Sequence, residues 1–135
     1  MKPTDKNDNL GNILLLLTTT GRKTRQPLVS ALQYEEFKGE HCITIPRGSN
    51  ADWFRNILAD PWVDAQVKRR KYHALAEPAT DAVRIADFLE YSLAKPSSAV
   101  VSMARTHGLP PKPSRAQIEA LSATLVVVFL HPTKE

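Results

Sequence analysis

The chain has 135 residues, of which 42% are hydrophobic and 24% are charged, as expected for one globular domain with a hydrophobic core. The formal net charge is +4, and this mild basicity permits a nucleic acid, an acidic membrane surface or an anionic small molecule as a partner without selecting one. The single cysteine, Cys42, excludes an intramolecular disulfide, and with no cation or helix start beside it we expect a buried, unreactive thiol.

The N-terminal segment, residues 1–12, is polar and has no hydrophobic periodicity, which predicts a flexible tail ahead of a single domain over residues 13–135. This segment holds no apolar signal core, and no apolar run in the chain approaches the length of a membrane span. We therefore expect no membrane span and a cytoplasmic location.

A hairpin is predicted next in the chain. A short apolar run passes into threonines over residues 13–19, Gly21 breaks the pattern, and a second extended run covers residues 27–34. The connecting turn carries three cations, Arg22, Lys23 and Arg25. Such a turn can hold a phosphate or a carboxylate, although the same cations could serve only to keep the hairpin soluble.

The remaining elements alternate between short strands and short helices. In chain order we first predict a turn over 35–40, a strand over 41–46 and a helix capped by Asn50 and ending near Leu58. Strands over 62–67 and 72–78 follow, joined by a basic turn over 68–71. Three helices should then start at Thr80 or Asp81, at Ser97 and at the capping box of Ser114, before a last strand over 124–130. About six strands with helices between some of them predict an α+β fold, a small antiparallel barrel with helices packed outside it. The last strand is apolar on both faces and should lie inside the sheet.

The sequence contains no self-sufficient catalytic motif. Paired cysteines, an HExxH helix, a GxSxG elbow and glycine-rich nucleotide fingerprints are all absent, and the four histidines are scattered. We therefore predict no metal site and cannot name catalytic residues. If the protein is an enzyme, its chemistry belongs to a cofactor.

Two further features could serve ligands. Arg47 and Gly48 lie in a loop before a predicted helix, where free backbone N–H groups favour an anion. Trp53, at the start of that helix, could be a core anchor or a wall for a flat ring. The basic run over 68–71 could contact nucleic acid, but it lacks interleaved aromatic residues, and four solvated charges are the commoner interpretation.

Two blocks of the sequence resemble the deazaflavin-dependent nitroreductase family, whose members bind coenzyme F420 on a split β-barrel. The first block is LLLTTTGRKT-x-QP, and the second is Pro46-Arg47-Gly48 followed by WFRNILADP over residues 53–61. The resemblance covers roughly residues 14–77 and assigns no role to residues 80–123. Arg25 stands where the family usually has glycine, Leu28 where it often has arginine, and Arg47 where it has lysine.

The resemblance implies a split β-barrel and an oxidoreductase that transfers a hydride from reduced F420 to an electron-poor small molecule, such as a nitroaromatic, a quinone or an activated alkene. FMN is the alternative cofactor, and a non-catalytic barrel that binds an anion or a nucleic acid is the alternative function; we expect no nucleic acid and a homodimer. The family's cofactor-binding positions correspond to Arg22, Lys23, Thr24, Pro27, Ser30, Ala31, Pro46, Arg47, Gly48, Trp53 and Asn56.

Overall fold

The computed structural model of the protein describes residues 14–95 and 99–133, which form seven strands and four helices. The strands are β1 (Leu15–Thr20), β2 (Pro27–Leu32), β3 (Glu35–Phe37), β4 (Glu40–Pro46), β5 (Trp62–Val67), β6 (Arg70–Ala79) and β7 (Leu125–Pro132). The helices are α1 (Asp52–Ala59), α2 (Ala82–Leu93), α3 (Ala99–Thr106) and α4 (Arg115–Ser122). The predicted tail over 1–12 and the predicted cap at Ser97 lie outside the described residues.

Hydrogen bonds join the strands in the order β2-β1-β5-β6-β7-β4-β3. The pairs β1–β2, β1–β5, β3–β4 and β5–β6 are antiparallel. β7 lies inside this order, and all its residues from Leu125 to Leu130 are buried. The α+β class and the interior position of the last strand are therefore confirmed.

One strand was not predicted from the sequence. The predicted turn over 35–40 contains β3, in which Glu35 pairs with Cys42 of β4, and the true turn is Lys38–Gly39 with φ angles of 54° and 80°. Glu35 is buried, and its carboxylate accepts a hydrogen bond from the backbone N–H of Val100 at 3.3 Å. A three-residue strand that begins with two glutamates carries no β-propensity signal, so the sheet has seven strands and not six.

The helix caps follow the sequence in two cases out of three. Asp81 accepts hydrogen bonds from the N–H groups of Val83 and Arg84, and Ser114 forms the predicted capping box with Gln117. Asn50 is not a cap, because α1 is preceded by Ala51, which offers no side-chain bond.

The described chain divides into two compact units. The first unit contains residues 14–34, 50–77 and 130–133, and the second contains residues 35–49, 78–95 and 99–129. Within these ranges the first unit has eight Lys and Arg residues against four Asp and Glu residues, whereas the second has seven of each. The excess positive charge of the described residues thus lies entirely in the first unit.

Each unit has its own buried residues. In the second unit, side chains of α2, α3 and α4 pack with β4 and β7 around the fully buried Phe88. Cys42 is in this core with 1% exposure, and burial, together with the charge of Glu40, raises the pKa of its thiol to about 12. The predicted burial of this thiol is confirmed, and its raised pKa agrees with the predicted lack of reactivity.

No described helix is long and apolar enough to cross a membrane.

Candidate functional site

The turn between β1 and β2 is closed by its own backbone. The N–H of Gly21 donates to the carbonyl of Gln26 at 2.8 Å, and the N–H of Arg25 donates to the carbonyl of Gly21 at 2.9 Å. The hydroxyl of Thr24 accepts from the N–H of Gln26 at 3.2 Å. A Cβ atom on Gly21 would lie 2.7 Å from that hydroxyl oxygen and 3.0 Å from the carbonyl oxygen of Gln26, so a larger residue here would force the turn to shift.

Asn56 of α1 fixes the turn from inside the first unit. Its side chain is buried, and its Oδ1 accepts from the backbone N–H of Arg22 at 3.1 Å and from Nη1 of Arg22 at 2.8 Å. Its Nδ2 donates to the hydroxyl of Thr19 at 3.1 Å. The amide therefore ties the start of the turn to both β1 and α1.

The side chain of Arg22 binds other residues of the first unit. Besides its bonds to Asn56, its Nη2 lies 3.3 Å from Oδ1 of Asp52, and its side chain is 20% exposed. Lys23, by contrast, is exposed, and neither its ammonium group nor its backbone N–H has a partner within residues 14–95 and 99–133. The same holds for the backbone N–H of Thr24. Lys23 is thus the cation of this turn that has no partner among the described residues.

A cleft of about 350 Å³ opens beside the turn. Its walls are residues of the turn, of β2 and of α1: Gly21, Arg22, Lys23, Thr24, Gln26, Pro27, Leu28, Asp52 and Asn56. This volume lies at the lower end of small-molecule sites, so the cleft suits a phosphate or a carboxylate-bearing part of a ligand and not a whole large cofactor. The free ammonium and the two free N–H groups supply the donors that such an anion needs.

Five of the eleven predicted site residues line this cleft. They are Arg22, Lys23, Thr24, Pro27 and Asn56. The consecutive residues Ser30 and Ala31 pair with Leu17 and Leu16 of β1, so their side chains point to opposite faces of the sheet. They cannot line the same face of one pocket.

Trp53 lies inside the first unit. Its side chain is only 6% exposed, and its ring packs edge-on against Phe54 with the centroids 5.8 Å apart. This arrangement matches a core anchor. Contact with a cofactor stays a prediction.

Arg47 belongs to the second unit and binds backbone there. Its Nε donates to the carbonyl of Leu125 at 3.1 Å, its Nη2 donates to the carbonyl of Thr80, and its own N–H donates to the carbonyl of Thr124 at 2.9 Å. Pro46 and Gly48 beside it are exposed, and Gly48 has a φ of 76°. The structure thus gives Arg47 a structural role that the sequence did not predict, and its contact with an anionic ligand stays a prediction.

Two residues of the site were missed by the sequence. Asp52 was not among the predicted site residues, yet it pairs with Arg22 in the cleft. Thr19 is one of three consecutive threonines, none of which was predicted to belong to the site. The alternation of β1, with Leu15 and Leu17 buried, puts Thr19 on the inner face, and this periodicity could have singled it out. No group of three or more His, Cys, Asp or Glu side chains among the described residues could hold a metal ion.

The fold is shared with solved oxidoreductases of the split-barrel type. An F420 reductase matches with a TM-score of 0.54 and 21% identity, over 91% of this chain and 88% of its own. A pyridoxamine 5'-phosphate oxidase from Listeria innocua matches with a TM-score of 0.59 and 10% identity, over 98% of this chain and 95% of its own. At such identities the likeness establishes the fold alone, and it confirms the predicted split barrel.

The sequence identifies the family. Residues 7–110 match the model of the F420H(2)-dependent quinone reductase family, and the chain belongs to that family. An F420H(2)-dependent quinone reductase of Mycobacterium tuberculosis is 33% identical over 67 residues, which cover 47% of this chain and 45% of that protein. The match therefore spans about half the length of this curated relative. The predicted resemblance to the F420-binding reductases is confirmed.

Proposed function

We propose that the protein is an F420-dependent reductase that transfers a hydride to an electron-poor small molecule. The observation that carries this proposal is the turn cleft, in a chain that belongs to a family of F420H(2)-dependent enzymes. In this cleft Lys23 and two backbone N–H groups have no partner among the residues that the structure describes. F420 carries a phosphate and an acidic tail, as the family resemblance implies. Both would be attracted to the first unit, which carries the excess positive charge.

The residues of the cleft divide into two roles. Lys23 and the N–H groups of Lys23 and Thr24 would hold the anionic part of the cofactor, beside Pro27. Asn56 and Arg22 hold the turn in the conformation that presents those donors. The guanidinium of Arg22, which lines the cleft, remains a proposed contact to the same anion. The bound cofactor supplies the hydride. Ser30, Ala31, Pro46, Arg47, Gly48 and Trp53 remain proposed contacts to the rest of it, and no residue is assigned a catalytic role.

Quinones are the first substrates to test. The curated relatives are described as quinone reductases, and nitroaromatics and activated alkenes share the electron-poor character that accepts a hydride. The experiment is oxidation of reduced F420, followed by absorbance, with menadione, a nitroaromatic and a cyclic enone at equal concentrations. We expect turnover with menadione. Tight F420 binding without turnover of any acceptor would favour the alternative of a non-catalytic binding barrel.

A homodimer is also proposed. Val29, Trp62 and Leu75 lie on one face of the sheet of the first unit and are 60%, 46% and 37% exposed. On the same face the ring of Trp62 stacks on His73 with the centroids 5.3 Å apart. Exposed apolar side chains that include a tryptophan are typical of an interface between copies. A cytoplasmic location stays a prediction.

A further inference from the structure

The cleft contains a carboxylate where an anion site needs none. Asp52 is the single acidic residue among those that line it, and its Oδ1 lies 3.3 Å from Nη2 of Arg22. The Asp52 side chain is 71% exposed, whereas that of Arg22 is 20% exposed. The cleft is therefore lined by two cations, Arg22 and Lys23, and by one anion whose side chain is mostly exposed to solvent.

The guanidinium of Arg22 has two sides with different partners. Its Nη1 is held by the buried Oδ1 of Asn56 and by the backbone carbonyl of Asp52 at 3.5 Å, so this side is structural. Among the described residues, its Nη2 has only the carboxylate of Asp52 as a partner, and an incoming phosphate would need the same donor. A ligand anion and Asp52 thus compete for one edge of Arg22.

We propose that Asp52 is a specificity-determining residue that competes with anionic ligands for Arg22 and so sets the affinity of the cleft. The inference rests on the proposed function in one respect, namely that the natural ligand is the phosphate and acidic tail of F420. When the ligand binds, the Asp52 side chain moves away from Nη2 into solvent. A single monoanionic group is then held weakly, and a ligand with several negative charges displaces Asp52 best.

The test is substitution of Asp52→Asn, with Asp60→Asn as the matched control. Asp60 pairs with Arg25 at 3.6 Å in the same unit but does not line the cleft, so both variants change the net charge equally. Dissociation constants are measured for inorganic pyrophosphate by calorimetry and for F420 by fluorescence, at 20 mM and 300 mM sodium chloride (roughly Debye lengths of 20 and 6 Å).

We expect Asp52→Asn to tighten the binding of pyrophosphate and of F420 by about fivefold at low salt and by less at high salt. A pair of charges near 4 Å apart contributes about that factor to a binding constant in water. Asp60→Asn should change either constant by less than about twofold. Asp52→Glu, which keeps the charge, should bind like the wild type. Thermal unfolding of all three variants checks that α1 is intact, since Asp52 also faces the positive end of the helix dipole.

The inference is overturned if Asp52→Asn leaves both constants unchanged or weakens them, or if Asp60→Asn has the same effect. Its failure is distinct from failure of the proposed function. F420 binding to the wild type without the Asp52 effect would remove this inference alone. The predicted shift for pyrophosphate in a protein that does not bind F420 would remove the proposed cofactor and keep the role of Asp52.

Discussion

At the scale of single residues, Asn56 connects the turn to the rest of the first unit. The substitution Asn56→Ala would remove three hydrogen bonds, leaving the partly buried backbone N–H of Arg22 and the buried hydroxyl of Thr19 without this partner. We expect a loss of about 2–4 kcal/mol in the free energy of unfolding. Urea denaturation measures it, with Asn50→Ala as the control, because Asn50 is exposed and caps no helix. Equal effects of the two substitutions would contradict this account of the turn.

Arg47 shows how a contact observed in the structure changes a prediction based on charge. From its loop position we expect Arg47 to bind an anion, so Arg47→Ala should weaken F420 binding by roughly tenfold. The bonds to Leu125 and Thr80 add a second effect, a loss of about 1.5–3 kcal/mol in unfolding free energy. Urea denaturation and F420 titration of Arg47→Ala separate the two. A variant with wild-type stability would show that the carbonyl contacts contribute nothing, and one with wild-type affinity would exclude an anion contact.

At the scale of elements, the β1–β2 turn carries a strained residue. Arg25 has a φ of 62° where the resembling family usually has glycine, and its ion pair with Asp60 is long, at 3.6 Å, with the Arg25 side chain 67% exposed. An L-residue in this conformation costs roughly 1–2 kcal/mol, whereas glycine adopts it freely. Arg25→Gly should therefore be more stable than Arg25→Ala by about 1 kcal/mol, as measured by thermal unfolding. The comparison removes the ion pair from both variants, so equal stability would show that the turn is unstrained.

The elements also show what local sequence can predict. The first hairpin, α2 and α4 follow from signals that lie next to one another in the chain: the Gly21 and Pro27 boundaries, the Asp81 cap and the Ser114 capping box. β3 could not be predicted, because three residues with two glutamates form a strand only through pairing with β4. Its existence depends on tertiary contacts and not on propensity.

The candidate site, like the elements, could be predicted only where the local sequence carries a signal. Five predicted residues meet in one cleft because the turn and α1 each carry a recognisable motif. The partners of Arg47 lie 33 and 78 residues away, and no local pattern reports a bond from a side chain to such distant carbonyls. The pairing of Asp52 with Arg22 could not be predicted either, because these residues lie 30 positions apart in the chain.

At the scale of the whole molecule, the proposed homodimer would form through the exposed face around Trp62. If that face joins two copies, light scattering at micromolar concentration should give twice the chain mass of 15.0 kDa. The substitution Trp62→Ser should shift the protein to the monomer, because aromatic anchors dominate such interfaces. Val83→Ser on α2 is the control, since Val83 is 56% exposed and lies in the second unit. A wild-type mass near that of one chain would contradict the proposed homodimer.

The choice of cofactor is the central claim for the whole molecule, and it can be measured directly. Titration of the protein with F420 and with FMN, followed by fluorescence in one buffer, gives two dissociation constants. Lys23→Ala, repeated beside the wild type, reports whether the turn cleft is the place of binding. The account predicts tighter binding of F420 than of FMN, and a loss of about tenfold for F420 in Lys23→Ala. Equal or tighter binding of FMN, or an F420 constant that Lys23→Ala leaves unchanged, would contradict it.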